Sequence, residues 1–147
     1  MENTTCMRRR FVVYGLIGWC MEIIWTGLQS LLQRDVKLVG KTSIWMFPIY
    51  GLTVFLEPLC VKLKQRHIAF RGGVYTVCIF IIEYATGSLL KKLLGVCPWD
   101  YGKRRFSVKG LIRLDYAPAW FVAGLIFESL YHFLVKSGIH ESKSSFS

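Results

Sequence analysis

Lysine and arginine are absent from four long stretches of this 147-residue chain: Phe11–Gln33, Ile44–Val61, Gly72–Leu90 and Tyr116–Val135. Each stretch holds one carboxylate near its centre: Glu22, Glu57, Glu83 and Glu128. Acidic residues are scarce everywhere, nine against nineteen basic ones, so the formal charge is +10. Only three histidines are present, too few for a histidine-rich membrane oxidase. The di-iron bundle pattern needs two Glu-x-x-His motifs and finds none, although Glu128 and His132 share a helical face. The five cysteines (Cys6, Cys20, Cys60, Cys78 and Cys97) include no CxxC pair, which speaks against a zinc site or a disulfide framework. Gly40-Lys41-Thr42 resembles the end of a phosphate-binding loop, but Asp35 stands where that loop needs glycine. Ser88 and Ser129 have no nucleophilic partner legible in the sequence. No metal, cofactor or catalytic constellation is therefore expected, and the chain reads as non-enzymatic.

What is present is apolar length. Hydrophobic residues make up 53% of the chain, mean hydropathy is +0.39, and the apolar residues fall in blocks. A helix over Gly72–Leu90 rises ~28 Å, about the hydrocarbon thickness of a bilayer. The predicted fold is an all-α membrane protein, a four-helix transmembrane bundle. Helices are expected at about Arg10–Leu32, Ser43–Lys64, Gly72–Leu90 and Ala117–Lys136. Residues 1–10 form a polar lead, 11–135 the membrane domain, and 136–147 a flexible tail. The run after Arg8–Arg10 is too long for a signal peptide and contains Glu22, so it reads as a retained span. Basic residues collect between the blocks, where they suit anionic headgroups. Their scatter, without a recognisable motif, argues against a nucleic-acid partner. About as many basic residues fall on one side of the bundle as on the other. The arginine triplet beside the first span then sets the expectation of cytoplasmic N- and C-termini.

Two connections carry more information. Pro58 follows Glu57 inside the second span and crowds the carbonyl of Val54, which predicts a helix break that leaves a backbone acceptor beside the glutamate. A simple kink is the plainer alternative. Lys91–Asp115 contains Trp99, Asp100 and Tyr101, then an alternating run from Phe106 to Leu114. That pattern suggests an interfacial loop before the last helix, either an extended or hairpin-like segment or, equally, an irregular loop, with Trp99 and Tyr101 at headgroup level and Asp100 on nearby backbone or basic side chains. A faint repeat links Glu22…Thr26-Gly27 to Glu83…Thr86-Gly87, and Pro48 and Glu57 to Pro118 and Glu128. The chain can thus be two helix pairs related as a parallel repeat.

Lone carboxylates in membrane spans are functional candidates by default. In a four-helix bundle Glu22, Glu57, Glu83 and Glu128 can form one polar layer. They cannot all ionise without a counter-cation, and no lysine or arginine lies within the four stretches. Such a group can share protons, bind a cation or receive a cationic solute. Alternatively, the glutamates only hydrogen-bond between helices and specify packing.

Gly18-Trp-Cys-Met-Glu22, Thr42-Ser-Ile-Trp45, Ile49-Tyr-Gly51, Glu57, Glu83-Tyr-Ala-Thr-Gly87, Cys97-Pro-Trp-Asp-Tyr101, Gly110-Leu-Ile-Arg-Leu114 and Tyr116-Ala-Pro-Ala-Trp-Phe121 resemble the transmembrane protein 229 family, its B-type branch most closely. The same pattern is similar to the bacterial CmpB-like ABC-transporter permeases. The resemblance covers about residues 11–135. It implies a multi-pass membrane protein with no established biochemical activity. Without an ATP-binding motif, and with four spans, the chain could supply at most one subunit of such a transporter. The leading expectation is therefore a small transporter or transporter subunit with an intramembrane glutamate site. The alternative is a membrane interaction or scaffold protein whose glutamates are structural, and a lipid-modifying enzyme ranks third. Expected partners are the lipid bilayer, a proton or cationic solute, and a second copy or another membrane subunit.

Overall fold

Apolar helices of about bilayer length dominate the computed structural model, which describes residues 2–137. Most of the expected tail, from residue 138 on, lies outside the described residues. Among them, four stretches are long and apolar enough to cross a membrane: Thr4–Leu32, Met46–Leu63, Ile68–Leu94 and Leu114–Lys136. Their outer faces are apolar. Ile24, Ile81 and Phe133 are 63%, 62% and 64% exposed. Water would penalise such a surface by about 25 cal/mol per Å², whereas lipid would not. The protein is an all-α integral membrane protein, with one two-stranded ribbon among the described residues.

The chain divides between Val54 and Phe55 into two compact units. In the first, α1 runs Glu2–Leu32 and α2 runs Met46–Gly51. α1 starts well before the expected Arg10, because no glycine or proline in residues 2–10 interrupts it. Its 31 residues span about 46 Å, more than the hydrocarbon core. α2 lies antiparallel along α1, with Phe47 beside Gly15 and Phe11 beside Gly51. The linking loop does not hang free. It folds back over the last turns of α1, and the carbonyl of Leu38 approaches Gly27. Thr26 and Ser30 Oγ donate to the carbonyls of Lys41 and Val39 at 2.9 and 3.0 Å. Trp19 Nε1 donates to the carbonyl of Ser43 at 3.1 Å. Irregular backbone near hydrocarbon needs such partners, since lipid supplies none.

The second span is interrupted. A 3-10 stretch, Leu52–Leu56, separates α2 from α3, Glu57–Leu63. Pro58 sits in the first turn of α3, where its missing N–H costs nothing. The irregular backbone therefore lies just upstream of the proline. Thr53 Oγ1 donates there to the carbonyl of Tyr50 at 2.7 Å.

In the second unit α3 is followed by α4, Ile68–Leu94, and α5, Ala117–Lys136. His67 caps α4 by accepting from the Ala69 N–H at 3.3 Å, so the helix starts four residues before the expected Gly72. Gly95, at φ +75°, ends it in the left-handed conformation that glycine tolerates best. α5 covers the N-terminal half of α4, with Gly124 against Tyr75 and Gly72 against Phe121. The C-terminal half is covered by the connection, which again folds back. Trp99 and Leu111 pack on Gly87. β1 (Ser107–Val108) and β2 (Ile112–Arg113) pair antiparallel. Their turn has φ > 0 at Lys109 and Gly110, as a tight hairpin turn of the primed type requires. The alternation read from Phe106 to Leu114 is thus a hairpin. In the first unit Thr26 and Gly27 both meet the following loop; in the second Gly87 does, while Thr86 donates to the Ile82 carbonyl of its own helix.

Candidate functional site

Glu128 is the most buried glutamate, 4% exposed. Gly124 lies one turn before it on α5 and has no side chain to hold α4 away; a Cβ there would come within 2.5 Å of the Tyr75 Cβ. That close approach delivers the Tyr75 hydroxyl, which donates to Glu128 Oε1 at 3.0 Å. Arg71, one turn earlier on α4, places Nη1 3.2 Å from the same oxygen and also donates to the Lys64 carbonyl at 3.4 Å. His132 Nε2 stands 4.0 Å away on the outer side. Beneath the tyrosine lies a small core of Cys60, Tyr75 and Tyr131. Cys60 enters this core from α3, three residues after Glu57.

Arg71 corrects the expectation that no basic residue could serve as counter-cation. In sequence it falls just before Gly72, with the basic connection that precedes the third charge-free stretch. Because α4 begins at Ile68, it occupies the first turn, and its long stem lets the guanidinium reach inward. Two signals were available: Arg71 and Tyr75 share one helical face, as do Glu128 and His132.

Glu83, 8% exposed, is held differently. Tyr101 of the connecting loop donates to its Oε1 at 2.7 Å. Eight residues of α4, about 12 Å, separate Glu83 from Tyr75. Within this unit the carboxylates therefore occupy two levels, one served by a helix tyrosine and arginine and the other by a loop tyrosine. The loop residues act mainly inward. Trp99 Nε1 donates to the Leu111 carbonyl at 2.9 Å, which ties the loop to its own hairpin. Asp100 Oδ1 accepts from the Gly102 N–H at 2.8 Å, and the Tyr101 N–H donates to the Gly110 carbonyl at 3.0 Å. Tyr101 packs edge-on to Tyr116, and Arg113 ion-pairs with Asp115 while lying over the Tyr116 ring. Cys97, tucked beside Gly87, has its thiol pushed above the usual range by burial.

Glu22 belongs to the first unit. Gly18, one turn before it, packs so closely on Tyr50 that a Cβ would come within 2.2 Å of the ring. The hydroxyls of Tyr50 and Thr42 face the Glu22 carboxyl. The Gly-x-x-x-Glu plus tyrosine arrangement of Gly124, Glu128 and Tyr75 thus occurs a second time. Glu22, Glu83 and Glu128 each meet a tyrosine hydroxyl from a neighbouring element, a pairing the sequence alone did not reveal. Among the described residues no group of three or more His, Cys, Asp or Glu side chains is arranged to hold a metal ion.

No solved structure matches this chain. A family model described as "Putative ABC-transporter type IV", of the CmpB type, matches residues 10–147. The match takes in most of the first span, the other three, both fold-back loops and the four glutamates, and the chain belongs to this CmpB-type ABC-transporter family.

Proposed function

We propose that the protein is a small membrane component of a transporter, lacking its own ATP site, whose buried glutamates handle protons or a cationic solute. Glu128 carries the reading. A carboxylate 4% exposed inside an apolar span is costly, and such groups typically mark ion or proton pathways. It touches Arg71 and Tyr75 on its inner side and faces the part-exposed His132 outward, so a proton could reach it from His132. Cys60 packs on Tyr75 from α3, the helix that Glu57 begins. Glu83 and Glu22, each opposite a tyrosine, are further ionisable stations in this reading. The finer likeness to the transmembrane protein 229 family, and cytoplasmic termini, belong to the same proposal.

A scaffold role has its own support. Glu22, Glu83 and Glu128 all face tyrosine hydroxyls, as packing pins would. Glutamine separates the two readings, since it keeps the shape and hydrogen bonding of glutamate but cannot ionise. In proteoliposomes Glu83→Gln and Glu128→Gln should each abolish pH- or cation-dependent flux while the protein stays folded. Unchanged flux in both variants, with leucine replacements disrupting assembly, would support the scaffold instead.

A further inference from the structure

We propose that the β1–β2 hairpin, with the end of α4, is a docking surface for anionic lipid headgroups. Its cations are distinct from the glutamate sites, although the loop that carries them is tied to Glu83. Lys91, Lys92, Lys103, Arg104, Arg105 and Lys109 are all exposed. None of them forms an ion pair among the described residues. The two local carboxylates are already engaged, Asp115 by Arg113 and Asp100 by the Gly102 N–H. The surface therefore presents uncompensated positive charge.

Apolar side chains sit among these cations. Phe106, Val108 and Leu114 are exposed on the hairpin, and Leu93, Leu94 and Val96 at the end of α4. Arg105 lies over the Phe106 ring at 5.9 Å. Phenylalanine beside arginine suits the boundary between acyl chains and phosphates. Position supports the same occupant. The chain enters this segment from the span Ile68–Leu94 and leaves it into Leu114–Lys136, so it connects two candidate spans at one end of both; its base packs back on α4 at Gly87, and Lys109 lies over the Tyr84 ring at 6.0 Å. The opposite end of the same unit exposes fewer unpaired cations, Lys62, Lys64, Arg66 and Lys136.

The surface is also held in place. Tyr101 bonds Glu83, Trp99 bonds the Leu111 carbonyl, and Leu111 is buried against Gly87. The cations are thus presented with little loss of freedom on binding, which favours affinity. Each lysine or arginine near an anionic surface contributes about 1 kcal/mol, roughly fivefold in binding.

The test uses the full chain purified from nanodiscs of equal parts phosphatidylglycerol and phosphatidylcholine. Lipid retained through detergent exchange is counted by native mass spectrometry. The wild type should retain phosphatidylglycerol preferentially. K103Q/R104Q/R105Q/K109Q should lower that preference more than about tenfold, and 0.5 M salt should weaken it. K62Q/K64Q/R66Q should lower it by less than the hairpin variant does. If the quadruple variant fails to fold, R104Q and R105Q singly should each cost about fivefold. Equal retention of both lipids by the wild type overturns the proposal, as does an unaltered preference in the hairpin variants or an equal loss in the opposite-end variant. Binding of polyglutamate at the hairpin without any lipid preference overturns it too, in favour of a soluble acidic partner.

Discussion

Removing either partner of the Arg71–Glu128 pair should destabilise the second unit, and unequally. Glu128 is buried on all sides, whereas the Arg71 side chain is 20% exposed at the start of α4. Arg71→Gln leaves a carboxylate that cannot reach water. Stranding one charge of a buried pair costs about 3–5 kcal/mol, and the Tyr75 bond, which remains, places this case near the lower end. Glu128→Gln strands a guanidinium that already touches the Lys64 carbonyl and can extend toward the headgroups, so we expect about 1–2 kcal/mol, the scale of one charge-assisted hydrogen bond. The double variant R71Q/E128Q strands no charge and should be more stable than R71Q alone. Reversible unfolding in mixed detergent micelles gives all three values. A larger loss for Glu128→Gln than for Arg71→Gln, or losses that simply add in the double variant, would refute the assigned burial asymmetry.

Three further outcomes follow from the geometry. Gly124→Ala should separate α4 from α5 by several tenths of an ångström, because its Cβ would meet the Tyr75 Cβ at 2.5 Å; the loss should be about 1–3 kcal/mol in the same unfolding assay. Tyr101→Phe should speed amide hydrogen exchange across 97–113 while leaving α5 unchanged, since only the loop loses its bond to Glu83. Cys97 should alkylate slowly at pH 7 and faster as pH rises, because burial favours the unreactive thiol; Trp99→Ala should uncover it and raise the rate at every pH.

The spans were legible because a charge-free apolar run of bilayer length has few other readings. The hairpin was only half legible: the alternation from Phe106 to Leu114 fits it, but a run this short fits an irregular loop equally well, and each strand is two residues long. The partners of the glutamates were not. Arg71 sits beside Lys62, Lys64 and Arg66 in sequence, and only the His67 cap, which moves the start of α4 forward, turns it inward. Tyr50, Tyr75 and Tyr101 look like ordinary boundary or core aromatics until Gly18, Gly124 and the fold-back loop bring their hydroxyls within reach. Close approach depends on which glycine faces which ring, and one sequence does not contain that pairing. The helix break was anticipated from Pro58, but the irregular backbone lies upstream of it, because a proline starts a helix more easily than it interrupts one.

The most direct measurement is proton and cation uptake by the purified protein, wild type against E22Q/E57Q/E83Q/E128Q. Calorimetric titration with monovalent and divalent cations, alongside proton release in unbuffered detergent solution, reads both. If the buried glutamates are working sites, the wild type takes up protons or a cation and the fourfold variant, still folded, loses that uptake. Equal uptake by the two proteins, or none by either, would contradict the account and leave the glutamates as packing pins held by their tyrosines.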